Sequence, residues 1–228
     1  MSLGDRIKGY EYVTRHYLTK RTPLLIRVDG RAFHTFTKGL ERPFDSSLMD
    51  AMVLAACDTA NGMQGFKAGY VQSDEATFLL TDYDSVETQG WFDYNLSKII
   101  SISAATMSVS FNKRFETNKQ PVFDSRAFSV PYNDVVNAFL WRAQDWERNS
   151  LQMYARSVFS HKELHGKNRA DIHEMLYQKG LNWTTDLTPQ QRNGTFLLTD
   201  VSGVYIQCDV LPTFNSINEI IGGFVKPE

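Results

Sequence analysis

Leu24-Leu25-Ile26-Arg27-Val28-Asp29-Gly30-Arg31 decides how the rest of this 228-residue chain is read. A short apolar run stopped by Asp-Gly predicts a buried strand that ends in a turn, which delivers the Asp29 carboxylate to the rim of a sheet. A second carboxylate pair, Asp74-Glu75, falls within Gln72-Ser73-Asp74-Glu75, between the runs Tyr70-Val71 and Phe78-Leu79-Leu80. Two apolar runs split by a short polar stretch predict a hairpin with these acids near its tip. If the strands are neighbours, Asp29 and Asp74 meet at one sheet edge.

Working outward, Asp5 to Lys20 carries Ile7, Tyr10, Val13 and Tyr17 at spacings of three and four, which predicts a helix with one apolar face. Arg15, His16, Lys20 and Arg21 then fall at its end, to interact with the helix C-terminus or with a nucleic-acid backbone. Met1-Ser2-Leu3 is left out of this reading. Downstream of Gly30, Asp45-Ser46-Ser47 is an N-cap signal for a helix closed by Asn61-Gly62, with Met52, Val53, Ala56 and Ala60 inward. A second helix runs from about Tyr94 to Phe111, and Val122 to Phe128 supplies a further strand. The order strand, helix, strand, strand, helix, strand is the ferredoxin-like βαββαβ arrangement, an α+β fold. It places both helices on one face of an antiparallel sheet and leaves the opposite face open for a substrate. Residues 1–131 form this palm-like unit. Residues 132–228 are a mainly helical extension with short terminal strands, packed on the palm as one body.

Composition excludes several classes. Apolar content of 42% and charged content of 22% are those of a soluble globular protein. The net charge of -2 carries no global basic excess, so any nucleic-acid surface is a local patch. Cys57 and Cys208 suggest neither a disulfide framework nor a zinc cluster. No run reaches the length of a membrane span and the N-terminus lacks a signal-peptide layout, which predicts an intracellular, cytoplasmic protein. After Asn133, Arg142, Arg148, Arg156, Lys162, Lys167 and Arg169 interleave with apolar positions, either as a solvated helix face or as a groove for a nucleic-acid backbone.

A lone Asp-Gly reads as a solubilising turn. Two strand-end acids separated by room for a crossover helix and a return strand read differently. Mg²⁺ takes a few carboxylates plus waters and substrate phosphates. Two such ions clamp the attacking and leaving oxygens of a phosphoryl transfer. Gly30 lets the backbone come close to an ion or phosphate, and Arg31, Lys38, Arg42 and Lys98 can answer a triphosphate's charge. The residues alone thus predict a metal-dependent nucleotidyltransferase on a palm-like sheet.

Ile26 to His34 resembles the opening signature of the tRNA-His guanylyltransferase family. Arg42-Pro43-Phe44-Asp45 resembles its Lys-Pro-x-Asp segment, with Arg in place of Lys. Gln72-Ser73-Asp74-Glu75, Ser97-Lys98, Phe123-Asp124-Ser125-Arg126 and Trp141-Arg142 are similar to further motifs in the same order, over a span reaching about Gly194. The resemblance implies a palm-like enzyme that extends tRNA at its 5′ end in the 3′-to-5′ direction, using ATP and GTP. On the matching positions, it implies two Mg²⁺ held by Asp29, the Gly30 carbonyl and Asp74, with Glu75 in support. It implies a nucleotide along Asp29, Gly30, Arg31, Ala32, Phe33, His34, Ser73 and Asp74, with Arg42, Asp45 and Lys98 nearby. It also implies a tetramer. Arg142, Arg148, Asn149 and Arg156 are then the candidates for RNA contact. Where eukaryotic members carry His-Ile-Asn-Asn-Leu-Tyr, this chain has Glu147-Arg148-Asn149-Ser150-Leu151-Gln152. That departure resembles the bacterial and archaeal guanylyltransferase-like relatives, which restore missing 5′ nucleotides against a template. Strict addition of one guanosine to tRNA-His is the alternative. RNA-independent cyclisation or condensation of nucleotides, and a non-catalytic RNA-binding role, are the readings outside that class.

Overall fold

The computed structural model describes residues 1–225. The strands are β1 (Leu24–Gly30), β2 (Phe66–Gln72), β3 (Glu75–Leu80), β4 (Phe123–Ser129), β5 (Thr195–Asp200) and β6 (Gly203–Gln207). They form one antiparallel sheet in the order β4-β1-β3-β2-β5-β6. The first four follow the ferredoxin-like order predicted from the sequence. The tail strands do not stand apart: β5 pairs with β2 and continues the palm's own sheet.

The larger helices are α1 (Leu3–Tyr12), α2 (Ser46–Asn61), α3 (Leu96–Arg114), α4 (Tyr132–Val158), α5 (Arg169–Gln178) and α6 (Phe214–Ile221). Asp45 caps α2 as expected, accepting from the Leu48 amide at 2.9 Å, and Gly62 closes it. α2 and α3 bury Met52, Ala56, Ile99, Met107 and Phe111 against Ile26, Val28 and Phe78 on one sheet face. Cys57 packs at the margin of this core as a small hydrophobe.

The other face is not open. The first half of α4, together with α6, covers it, and Val135, Phe139, Ile217 and Ile221 pack on Leu25, Ala68, Tyr70, Leu79 and Phe196. The reason lies in the strand composition: Leu24-Leu25-Ile26 and Phe78-Leu79-Leu80 are continuous apolar runs, which feed both faces of a sheet instead of one. The second half of α4 projects past the sheet end. There Trp146, Tyr154 and Phe159 form a third cluster with Phe44, Ile172 and Trp183.

The first helix also departs from expectation. α1 ends at Tyr12 and buries none of its residues, so the spacing of Ile7, Tyr10 and Val13 marks an apolar stripe left exposed among the described residues. Ser2 caps it, its hydroxyl accepting from the Asp5 amide at 3.1 Å. Beyond it the backbone runs as an extended arm, tied down by the Tyr17–Asn95 bridge and the Leu18 amide donating to Tyr94 at 3.0 Å. Lys20 pairs with Asp93. The Arg21 guanidinium donates to the carbonyls of Asp82, Ser85 and Val86, so these cations hold the arm instead of a helix end. No helix among the described residues is long and apolar enough to cross a membrane.

Candidate active site

Register builds the site. Gln72 pairs with Glu75, Glu75 with Asp29, and Asp29 with Asp124, so four polar residues form one row across β2, β3, β1 and β4. Paired residues share a sheet face, and this row lies on the side covered by α4. The β2–β3 turn is two residues long. Ser73 adopts a left-handed backbone (φ 48°), a conformation that costs a non-glycine residue on the order of 1 kcal/mol. The turn brings the Asp74 carbonyl to accept from the Gly30 amide at 2.9 Å, which joins the two acid-bearing strand ends directly. A side chain at Gly30 would meet the Phe33 ring at 2.3 Å. Glycine here thus makes room for the Phe33 ring.

The carboxylates interact. Burial first, then the charges of Asp74, Glu75 and Asp124, push Asp29 up to about 6. Burial also raises Asp74, against the opposing hydrogen bond from Ser73, 2.9 Å away. Neighbouring acids that are costly to ionise form a natural cation site. Two carboxylates with a backbone carbonyl are hard oxygen donors of the kind Mg²⁺ takes, the remaining positions being left to water and phosphate. Among the described residues, no group of three or more His, Cys, Asp or Glu side chains makes a closed ligand set.

Glu75 plays another part. The Arg142 guanidinium grips it with two bonds of 2.7 and 2.9 Å, and Arg27 lies 3.5 Å away. Asp145 approaches the same Arg142 at 3.2 Å. Arg142 is therefore an internal anchor between α4 and the hairpin, in place of the RNA contact expected of it. Arg148 is paired with Asp145, and Asn149 donates to the same carboxylate at 3.3 Å. Arg156 pairs with no carboxylate among the described residues.

Two cavities meet beside this row, at Ser73. One of about 320 Å³ holds Asp29, Asp74 and Glu75 together with Asn149 and Arg156. The other, about 280 Å³, is formed largely by residues 34–49 and includes His34, Lys38, Arg42 and Asp45. Ser73, Trp146, Met153 and Arg156 line both, so Arg156 stands at the junction. The remaining expected nucleotide contacts separate. The Phe33 side chain is buried among Phe36, Phe111 and Phe123, so only its backbone can face a ligand. Arg31 and Ala32 are exposed on the connection after β1 and border neither cavity. Lys98 is not brought to the site. Ser108, whose hydroxyl accepts from the Phe123 amide at 3.0 Å, marks the site end of α3. Lys98 lies in the first turn of that helix, about 15 Å further up its axis. Sequence reasoning passed over Arg27, although a cation inside an apolar strand run signals a buried partner.

Residues 4–131 match the family described as Thg1, tRNAHis guanylyltransferase. The chain belongs to this family. Its fold is similar to that of a bacterial tRNA(His) guanylyltransferase (Thg1)-like protein solved in complex with ATP: TM-score 0.91 and 37% identity over 98% of this chain and 99% of that one. A structure of a bacterial Thg1-like protein in complex with GTP matches at TM-score 0.82 and 32% identity with the same coverage. The tRNA(His) guanylyltransferase of Schizosaccharomyces pombe is 29% identical over 199 residues, which are 78% of this chain and 74% of that protein. As a Thg1-family protein the chain is a nucleotidyltransferase, and the palm reading of the sequence holds.

Proposed function

We propose that this Thg1-family enzyme adds nucleotides to the 5′ end of tRNA in the 3′-to-5′ direction, directed by the opposite strand. The observation that carries the reading is the joined pair Asp29 and Asp74, in a cavity that adjoins a second one at Ser73 and Arg156. The 3′-hydroxyl of an incoming nucleoside triphosphate attacks the phosphorus of an activated 5′ end. A new phosphoester bond forms, and pyrophosphate leaves from a 5′-triphosphate. A 5′-monophosphate is first activated with ATP. Asp29, Asp74 and the Gly30 carbonyl would hold two Mg²⁺, which supply charge stabilisation at the attacking and leaving oxygens. His34, Lys38 and Arg42 offer donors and positive charge to the triphosphate from the loop cavity. The relatives solved with ATP and GTP support this choice of substrates.

Template direction rests on α4. Glu147, where eukaryotic members carry His, is held by Arg169 of α5 through two bonds of 2.8 and 2.9 Å. That position is thereby committed to joining two helices, and selection of the base falls to pairing with the opposite strand. The enzyme acts in the cytoplasm as a homo-oligomer, with the exposed stripe of α1 as the face a second copy would cover.

The test supplies tRNAs lacking their first nucleotide, with each base in turn at the opposing position. The expected kcat/KM for GTP opposite C exceeds that opposite A by at least about tenfold, roughly 1.4 kcal/mol of transition-state discrimination. Guanosine added equally well opposite A, and only to tRNA-His, would establish strict guanylylation instead. Incorporation of labelled GTP without RNA would establish a nucleotide-condensing enzyme.

A further inference from the structure

The cations around the two cavities are unevenly shared. The loop cavity has His34, Lys38 and Arg42 on its wall. Among the described residues, the cavity that holds the acids is lined by two cations, Arg142 and Arg156. Arg142 is already answered by Glu75 and Asp145. Arg156 is exposed and pairs with no carboxylate among the described residues. The reaction brings two triphosphates together. One belongs to the incoming nucleotide, the other to an acceptor whose 5′ end is a triphosphate. Lys38 and Arg42 answer the first. The second has its α-phosphorus at Asp29 and Asp74, and Arg156 is the cation left in that cavity to meet its remaining phosphates.

Position supports the same division. Glu75 and Arg142 border the acid-bearing cavity alone, whereas Ser73 and Arg156 border both cavities. α4 is unbroken between the two arginines, which sets their backbones about 21 Å apart along its axis. Arg142 therefore closes one end of the acid-bearing cavity and Arg156 stands at the other. Gln152, one turn before Arg156 on the same helix face, lines the same cavity. Asp74 separates Ser73 from Glu75 in the chain, so a triphosphate that starts at the acids and extends away from the Arg142–Glu75 grip runs toward Arg156.

We propose that Arg156 is a catalytic residue for the leaving group: it binds the β- and γ-phosphates of the acceptor's 5′-triphosphate and answers the charge that pyrophosphate gains as it departs. In that step the 3′-oxygen of the incoming nucleotide bonds to the α-phosphorus. The bond from that phosphorus to the bridging oxygen breaks, its electron pair stays on pyrophosphate, and the hydroxyl proton passes to water. A guanidinium suits the task, because it is permanently charged and its fork of donors matches two phosphate oxygens at once.

The inference rests on a tRNA 5′ end being the substrate. Two acceptor-stem hairpins of one sequence, one with a 5′-triphosphate and one with a 5′-monophosphate, separate the possibilities when bound in Mg²⁺ without nucleotide. Wild-type enzyme should bind the triphosphate hairpin about tenfold more tightly. Arg156→Gln should lose that preference by weakening the triphosphate hairpin alone, and its salt dependence should flatten for that hairpin only. Arg156→Lys, which keeps the charge and loses the fork, should retain a preference of about threefold. At saturating triphosphate hairpin, Arg156→Gln should lower the single-turnover rate of addition about a hundredfold and leave KM for GTP unchanged. Equal weakening of both hairpins would make Arg156 a contact to the RNA backbone, and a raised KM for GTP would make it a contact to the incoming triphosphate. Either result, or an unchanged preference, would overturn the assignment. Failure of the wild-type enzyme to add any nucleotide to the triphosphate hairpin, with or without a template, would overturn the RNA substrate itself and this inference with it.

Discussion

Burial and three neighbouring carboxylates hold Asp29 near 6, above the 3.8 it has when exposed. The sign of the consequence follows from linkage. A raised carboxylate contributes its full stability below its unfolded value, and that contribution is lost as pH rises through the folded value. The metal-free protein should therefore lose stability between about pH 4 and pH 6 on this account. Discounted for solvent screening, the loss is about 1–2 kcal/mol. Asp29→Asn removes the cost, so it should be more stable than wild type by that amount at pH 8 and equal to it at pH 4, as read from urea unfolding. A variant less stable than wild type at pH 8 would contradict the electrostatic account. The same substitution should lower nucleotide addition by about a thousandfold, or roughly 4 kcal/mol. Mg²⁺ with GTP should raise the melting temperature of the wild-type protein and leave Asp29→Asn and Asp74→Asn where they were.

Two elements, α4 and the β2–β3 hairpin, meet at Glu75 and Arg142, whose side chains are each only 11% exposed. Removing one member of such a pair strands a buried charge, so Arg142→Ala should destabilise the protein by about 3 kcal/mol. The double variant Glu75→Gln with Arg142→Met should cost less than the sum of its single changes, because both charges leave together. Denaturant midpoints measured on the four proteins of that cycle decide it; additive costs would mean that the two side chains act independently. RNA binding divides the arginines of α4 differently. Arg156 pairs with no carboxylate among the described residues, so Arg156→Ala should flatten the log–log salt dependence of tRNA binding by about 0.7–0.9. Arg148 is already neutralised by Asp145 and should change the slope less. An equal drop for both would mean that α4 presents a continuous basic face after all.

At the scale of the whole molecule, we expect residues 1–131 and 132–228 to unfold as one body. The sheet does not stop at that boundary, because β5 pairs with β2, and Leu25, Tyr70 and Leu79 pack with residues of α4, β5 and α6. Thermal and urea transitions followed by tryptophan fluorescence and by circular dichroism should coincide. The 1–131 fragment alone should bind a hydrophobic dye and lack a cooperative transition, since one whole sheet face would be bared to water. Two separate transitions in the full chain, or a cooperatively folded fragment, would establish two independent domains.

Read by itself, the sequence determined the palm's order of elements, the capped helix after Asp45, and the strand-end acids Asp29 and Asp74. These features are written in local periodicity, in turn residues and in short motifs, each of which acts over a few neighbouring positions. It missed what depends on residues far apart in the chain. The spacing of Ile7, Tyr10 and Val13 indicates a face but not whether anything covers it. The cation run of Arg142, Arg148 and Arg156 indicates charge but not which charges are already paired. Lys98 reads as a site residue from its motif, yet α3 carries it away from the strand ends that bear the acids. Only the tertiary structure decided these points, because a charge is answered by whichever group the fold sets within a few ångströms. For Arg142 that group is Glu75, 67 residues away along the chain.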